Sequence, residues 1–168
     1  PNFHFQEWQE PYLKVDLMLK GGGSENVGAQ YKLPNSQLGA GRNLEGVRRV
    51  VLDAVYQAQG KGCAPGVLGV AIGGARGSGY VKSKEQLFRE LDDTNADPQL
   101  AELEARLTQE ANRLRIGPMG FGGETTVLGV KIGALHRVPA SFFVSISYAC
   151  WADRHRTLVW RDDAVTID

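Results

Sequence analysis

The residues of this 168-residue chain best suited to chemistry are two cysteines and the glycine-rich stretches around them. Cys63 lies in Gly62-Cys63-Ala64-Pro65-Gly66, directly before the apolar run Val67–Ile72. That run has the length and β-branched content of a buried strand, and glycine or proline brackets it on both sides. A thiol on a tight loop at the mouth of a strand, among backbone N–H groups with no bulky neighbours, is open to a metal cluster or an anionic substrate. Its ordinary alternative is a small buried side chain, the usual fate of a free cysteine. Cys150 has the same setting, just past the β-type run Phe142–Tyr148. A second place for an anion is Lys20-Gly21-Gly22-Gly23-Ser24-Glu25-Asn26. Three consecutive glycines permit positive φ and let N–H groups converge, unless they form only a flexible turn.

The elements that must position these residues follow from periodicity. Alternation of Leu13, Val15, Leu17 and Leu19 with polar residues predicts a half-buried strand feeding the triple glycine. Residues 27–42 read as loop. Asn43 caps a predicted helix over 43–59, whose apolar face is Leu44, Val47, Val51, Ala54, Val55 and Ala58. A helix over 79–91 and another over 97–115 follow, the latter opened by Asp97 as cap and Pro98 in its first turn. Glu102 and Arg106 are placed to pair on its solvated face. A third glycine loop, 117–126, precedes a strand over 127–132. His136 lies between that strand and the one over 142–148, and the tail makes two short strands, 157–160 and 164–167. The expected fold is α+β: one domain, with helices packed on a mixed sheet of the strands near 13–19, 67–72, 127–132 and 142–148.

Composition narrows the function. Lys plus Arg and Asp plus Glu each number 19, and zero net charge argues against a general nucleic-acid binder. No apolar run reaches the roughly 18 residues of a membrane helix. Two cysteines make no disulfide framework, so a reducing, cytoplasmic setting is expected. Glycine is abundant, 21 of 168, and clusters in short loops, as when backbone must approach a ligand. Gly73-x-x-x-Gly77-x-Gly79 with Tyr80 and Lys84 imitates a short-chain dehydrogenase. Tyr80 would then lie at the pyrophosphate end of the cofactor, too far from the carbonyl to transfer a proton.

Four motifs in order, Lys20-Gly-Gly-Gly-Ser-Glu-Asn26, Cys63-Ala-Pro-Gly with Val70-Ala-Ile-Gly-Gly74, Gly117-Pro-x-Gly-x-Gly-Gly-x-Thr-Thr126, and Cys150-x-Ala-Asp-Arg154, closely resemble the α-type domain of the iron–sulfur hydro-lyases. These are the class I fumarate hydratases and L-tartrate dehydratases, and the resemblance runs from about Leu13 to Arg154. It implies a [4Fe–4S] enzyme that adds or removes water across a dicarboxylate double bond, with an open iron as Lewis acid. By motif position Cys63 and Cys150 would be two of three cluster ligands, their sulfurs within roughly 6–8 Å of each other. Lys20, Gly21, Gly22, Gly23 and Ser24 would line the substrate pocket, with N–H groups offered to a carboxylate. His136 would contact substrate or be merely a hydrogen-bonded strand-end histidine; His155 reads as surface.

The chain departs from the family pattern in two respects. The upstream Cys-Gln-Asp-Thr-Gly motif and any third cysteine are absent, and where many members place a substrate-contacting histidine this chain has Val138. The apolar start, with Phe3, Phe5 and Trp8, reads as an interior piece of a longer chain. The resemblance therefore implies the C-terminal part of an α unit. Such a fragment is expected to be inactive and cluster-free alone, and to need its N-terminal segment and a β-type domain or subunit, in an oligomer. Fumarate is the expected substrate, ahead of L-tartrate and mesaconate. The alternative function is a non-enzymatic scaffold or subunit that kept the fold and lost the cluster.

Overall fold

The computed structural model describes residues 2–168. Its centre is a four-stranded mixed sheet in the order β2–β5–β3–β4, formed by β2 (Ala29–Lys32), β3 (Gly66–Ile72), β4 (Val127–Ala134) and β5 (Phe143–Cys150). β3 runs parallel to β4 and antiparallel to β5. Val67–Ile72 was legible as a strand because it is buried on both faces. Leu68 and Val70 point into a core built with α2 (Leu44–Ala58) and α4 (Pro98–Arg113). The opposite face carries α3 (Arg76–Glu85), where Ser83 Oγ and Ser147 Oγ lie 2.7 Å apart. The α+β class, the mixed sheet and the packed helices match the expectation from sequence.

Local chemistry sets the helix limits. The Asn43 side chain accepts from Gly46 N at 2.8 Å, and the Asp97 side chain accepts from Gln99 N at 2.9 Å, each satisfying an orphan donor of a first turn. α3 begins earlier than its glycines suggested and passes into a 3₁₀ turn over Gln86–Phe88. Glycine is tolerated inside it because the helix presses on the sheet. A Cβ at Gly79 would stand 2.5 Å from Ser145 Oγ. Arg106 does not pair with Glu102; it reaches Glu110 at 2.9 Å and Glu45 of α2 at 3.5 Å, tying α4 to α2.

Four expectations are corrected. The strand β1 (Leu13–Leu19) forms where predicted, but not in the central sheet. It pairs with β6 (Arg154–Arg161), which pairs with β7 (Ala164–Ile167), in a separate three-stranded sheet. β1 is largely exposed rather than half-buried, because no element among the described residues covers its apolar face. Residues 27–42 contain β2, an edge strand held by β5. The triple glycine adopts no positive φ. It enters the short helix α1 (Gly22–Asn26), with Gly21 at φ −74°.

Candidate functional site

Cys63, Cys150 and all three glycine loops converge on one end of the central sheet. Because β3 and β5 are antiparallel, the start of one lies beside the end of the other. Cys150 is the register partner of Gly66, three residues after Cys63. Both cysteines are free and half-buried. Cys63 has φ +60°, a left-handed backbone uncommon outside glycine, and its N–H bonds to Gly60 O at 3.1 Å. Ala64 O accepts from Met119 N at 2.8 Å, and a Cβ at Gly60 would stand 2.3 Å from Met119 O. Only glycine lets the 117–123 loop approach the Cys63 loop so closely.

The triple-glycine segment joins the same end through Asp153, a residue to which the sequence reading gave no role. One carboxylate oxygen of Asp153 accepts from Gly21 N at 3.1 Å and from the Cys150 thiol at 3.3 Å. The other accepts from Ser24 Oγ at 3.2 Å and Cys150 N at 3.0 Å. Asp153 thus staples α1 to the turn after β5. Burial pushes the Cys150 thiol above its ordinary pKa; the backbone N–H of Ala152 opposes this and the Asp153 carboxylate adds to it. Lys20 Nζ is buried beside the Glu25 carboxylate at 2.9 Å, in an ion pair that lacks hydrogen-bond geometry. Burial raises the Glu25 pKa, but the hydrogen bond from Lys84 and the neighbouring Lys20 ammonium charge outweigh that and hold it below the usual range. Gly23 packs closely, since a Cβ there would lie 3.3 Å from Lys61 O.

Tyr148 is the second residue the sequence reading passed over. On a strand it shares a face with Cys150, two residues on. It is only 3% exposed and its hydroxyl has no hydrogen-bond partner. A Cβ at Gly66 or at Gly62 would collide with its ring, so the ring lies along the turn that carries Cys63. Burial, with both cysteines nearby, pushes its pKa up to about 12.

His136 is not brought to this end. It follows β4 and is exposed, and its carbonyl accepts from Gly74 N at 3.2 Å. Gly73 and Gly74 follow the far end of β3, a seven-residue strand spanning roughly 20 Å. His155 rests edge-on against Phe88, with ring centroids 5.8 Å apart. The clefts of about 360 and 350 Å³ beside Arg89 and Arg42 both lie away from the cysteines. Among the described residues no group of three or more His, Cys, Asp or Glu side chains is placed to hold a metal ion. No described helix is long and apolar enough to cross a membrane.

The mixed α+β fold thus brings two free thiols and the glycine loops that frame them to one end of its central sheet. The comparisons with known proteins give the family. The family model described as fumarate hydratase (Fumerase) matches residues 1–159, and the chain belongs to that family. It is 56% identical over 157 residues to a Geobacillus stearothermophilus protein provisionally named a class I fumarate hydratase, covering 92% of this chain and 30% of that protein. It is 36% identical over 153 residues to a provisionally named L(+)-tartrate dehydratase subunit alpha of Methanocaldococcus jannaschii, covering 91% and 52%. Against the L(+)-tartrate dehydratase subunit alpha of Escherichia coli K12 it is 32% identical over 150 residues, covering 89% and 48%. The chain therefore spans about a third to a half of the length of these relatives.

Proposed function

We propose that this chain is part of a hydro-lyase that interconverts fumarate and its hydrated form, malate, on a [4Fe–4S] cluster. The observation that carries the reading is the convergence of Cys63 and Cys150 on one sheet end, within a chain of the fumarate hydratase family. Thiolates are the natural ligands of such clusters, and a buried hydroxyl without a partner beside both cysteines fits a site that takes a further group. Two thiols are a partial set, so the remaining ligand and the β-type domain belong to other parts of the protein. The cluster would supply a Lewis acid toward the hydroxyl that leaves or adds.

The residues of this chain would hold and orient. Cys63 and Cys150 would anchor iron, and loading would release the Cys150 proton that burial and Asp153 now retain. Lys20 would offer its buried ammonium to a substrate carboxylate, with Gly21, Gly22, Gly23 and Ser24 shaping the wall beside it. Gly21 N–H is engaged by Asp153, so it braces the wall rather than meeting substrate. His136, at the far end of β3, could take part only if that end met substrate in the complete assembly. On this reading the 168-residue chain alone is inactive.

Anaerobic reconstitution of the complete protein with iron and sulfide tests the proposal, followed by assay on fumarate, L-tartrate and mesaconate. Expected are sulfide-to-iron charge-transfer absorption, turnover of fumarate, and loss of both in Cys63→Ser and Cys150→Ser. A protein that takes up no cluster, or one that is loaded and turns over none of the three, overturns it.

A further inference from the structure

We infer that Tyr148 is a positioning residue of the cluster site, its phenol O–H donating a hydrogen bond to a sulfur of the cluster or of its anchoring thiolates; this rests on the cluster reading above. Tyr148 and Cys150 project from the same face of β5, two residues apart. The partner strand is cut to fit the ring. At Gly66 a Cβ would stand 2.3 Å from Tyr148 Cε1 and Cζ and 2.6 Å from its hydroxyl oxygen. At Gly62 a Cβ would stand 2.9 Å from Cε1. The two glycines flank Cys63, so the ring is laid along the Cys63 turn, and the glycines are there to admit it.

The hydroxyl is what phenylalanine would not supply. The rest of the ring packs in the apolar core with Val55, Leu68 and Ile146. A core position needs no oxygen, and a buried hydroxyl left unpaired is destabilising. No partner for it exists among the described residues. The sulfurs of Cys63 and Cys150 border the site, and sulfur that carries the negative charge of an iron-bound thiolate or sulfide accepts hydrogen bonds. Such bonds stabilise the more negative, reduced state and set the reduction potential.

The test uses the complete protein, reconstituted anaerobically, and reads potential rather than turnover. In Tyr148→Phe the cluster should still absorb, while its reduction equilibrium shifts about tenfold toward the oxidised state, about 59 mV lower for one electron. Fluorotyrosine at position 148, a stronger donor of nearly the same shape, should shift it the opposite way, and covers the case in which Tyr148→Phe does not load. A cluster whose potential is the same in wild type and in whichever substituted form loads overturns the inference and leaves the cluster reading intact. A wild-type protein that takes up no cluster overturns both.

Discussion

At the scale of single residues, the site is held by a carboxylate. Asp153 takes up two backbone N–H groups, a serine hydroxyl and a thiol, so it fixes α1 against the turn after β5 while disfavouring the Cys150 thiolate. Asp153→Asn separates these roles. The carboxylate raises the Cys150 pKa, so its neutralisation should lower it, and the onset of alkylation by iodoacetamide should move to lower pH. Peptide mass spectrometry of the metal-free protein, read at Cys150, measures this. Loss of charged hydrogen bonding should also cost about 1–3 kcal/mol in urea unfolding. Unchanged alkylation would mean that burial alone governs the thiol. The two cysteines and their loops were legible in sequence because glycine and proline mark tight turns beside apolar runs. Asp153 and Tyr148 were not, since each matters through a partner distant along the chain.

At the scale of elements, glycine tells packing from freedom. Gly69, in the middle of β3, is there because α3 crosses it: a Cβ would stand 2.0 Å from Ser83 O. Gly77, on the exposed side of α3, meets nothing within 4 Å. Gly69→Ala should therefore force α3 off the sheet and cost about 1–3 kcal/mol. Gly77→Ala should instead stabilise by about 0.5–1 kcal/mol, through the lower entropy of alanine in the unfolded chain. Equal effects in urea titration would refute this account of the α3–β3 contact. α2 and α4 were readable because their apolar spacing and caps are local. The short edge strand β2 was not, because only the ladder with β5 makes Ala29–Lys32 a strand. The positive φ that three glycines permit is not adopted, because Asp153 and the buried Ser24 hold them in a helical turn.

At the scale of the whole molecule, the two sheets differ in how they are covered. The central sheet is enclosed by helices on both faces. The β1–β6–β7 sheet carries Leu13, Val15, Trp160, Val165 and Ile167 on one face, where register pairs Leu13 with Trp160 and Trp160 with Val165, and each of these five is close to half exposed or more. Alternation along β1 told that a strand forms, but nothing local tells which sheet a strand joins or whether its apolar face is covered. A contiguous wet apolar face of this kind should bind the dye anilinonaphthalene sulfonate in the isolated chain and drive concentration-dependent association in sedimentation velocity. Val15→Glu with Trp160→Lys should reduce both several-fold. Because the face lies apart from the core formed by α2, α4 and the central sheet, the urea midpoint should change by no more than about 0.5 kcal/mol equivalent. Dye binding and association that persist in the double variant would place the sticky surface elsewhere. A large loss of stability would mean that this face supports the core.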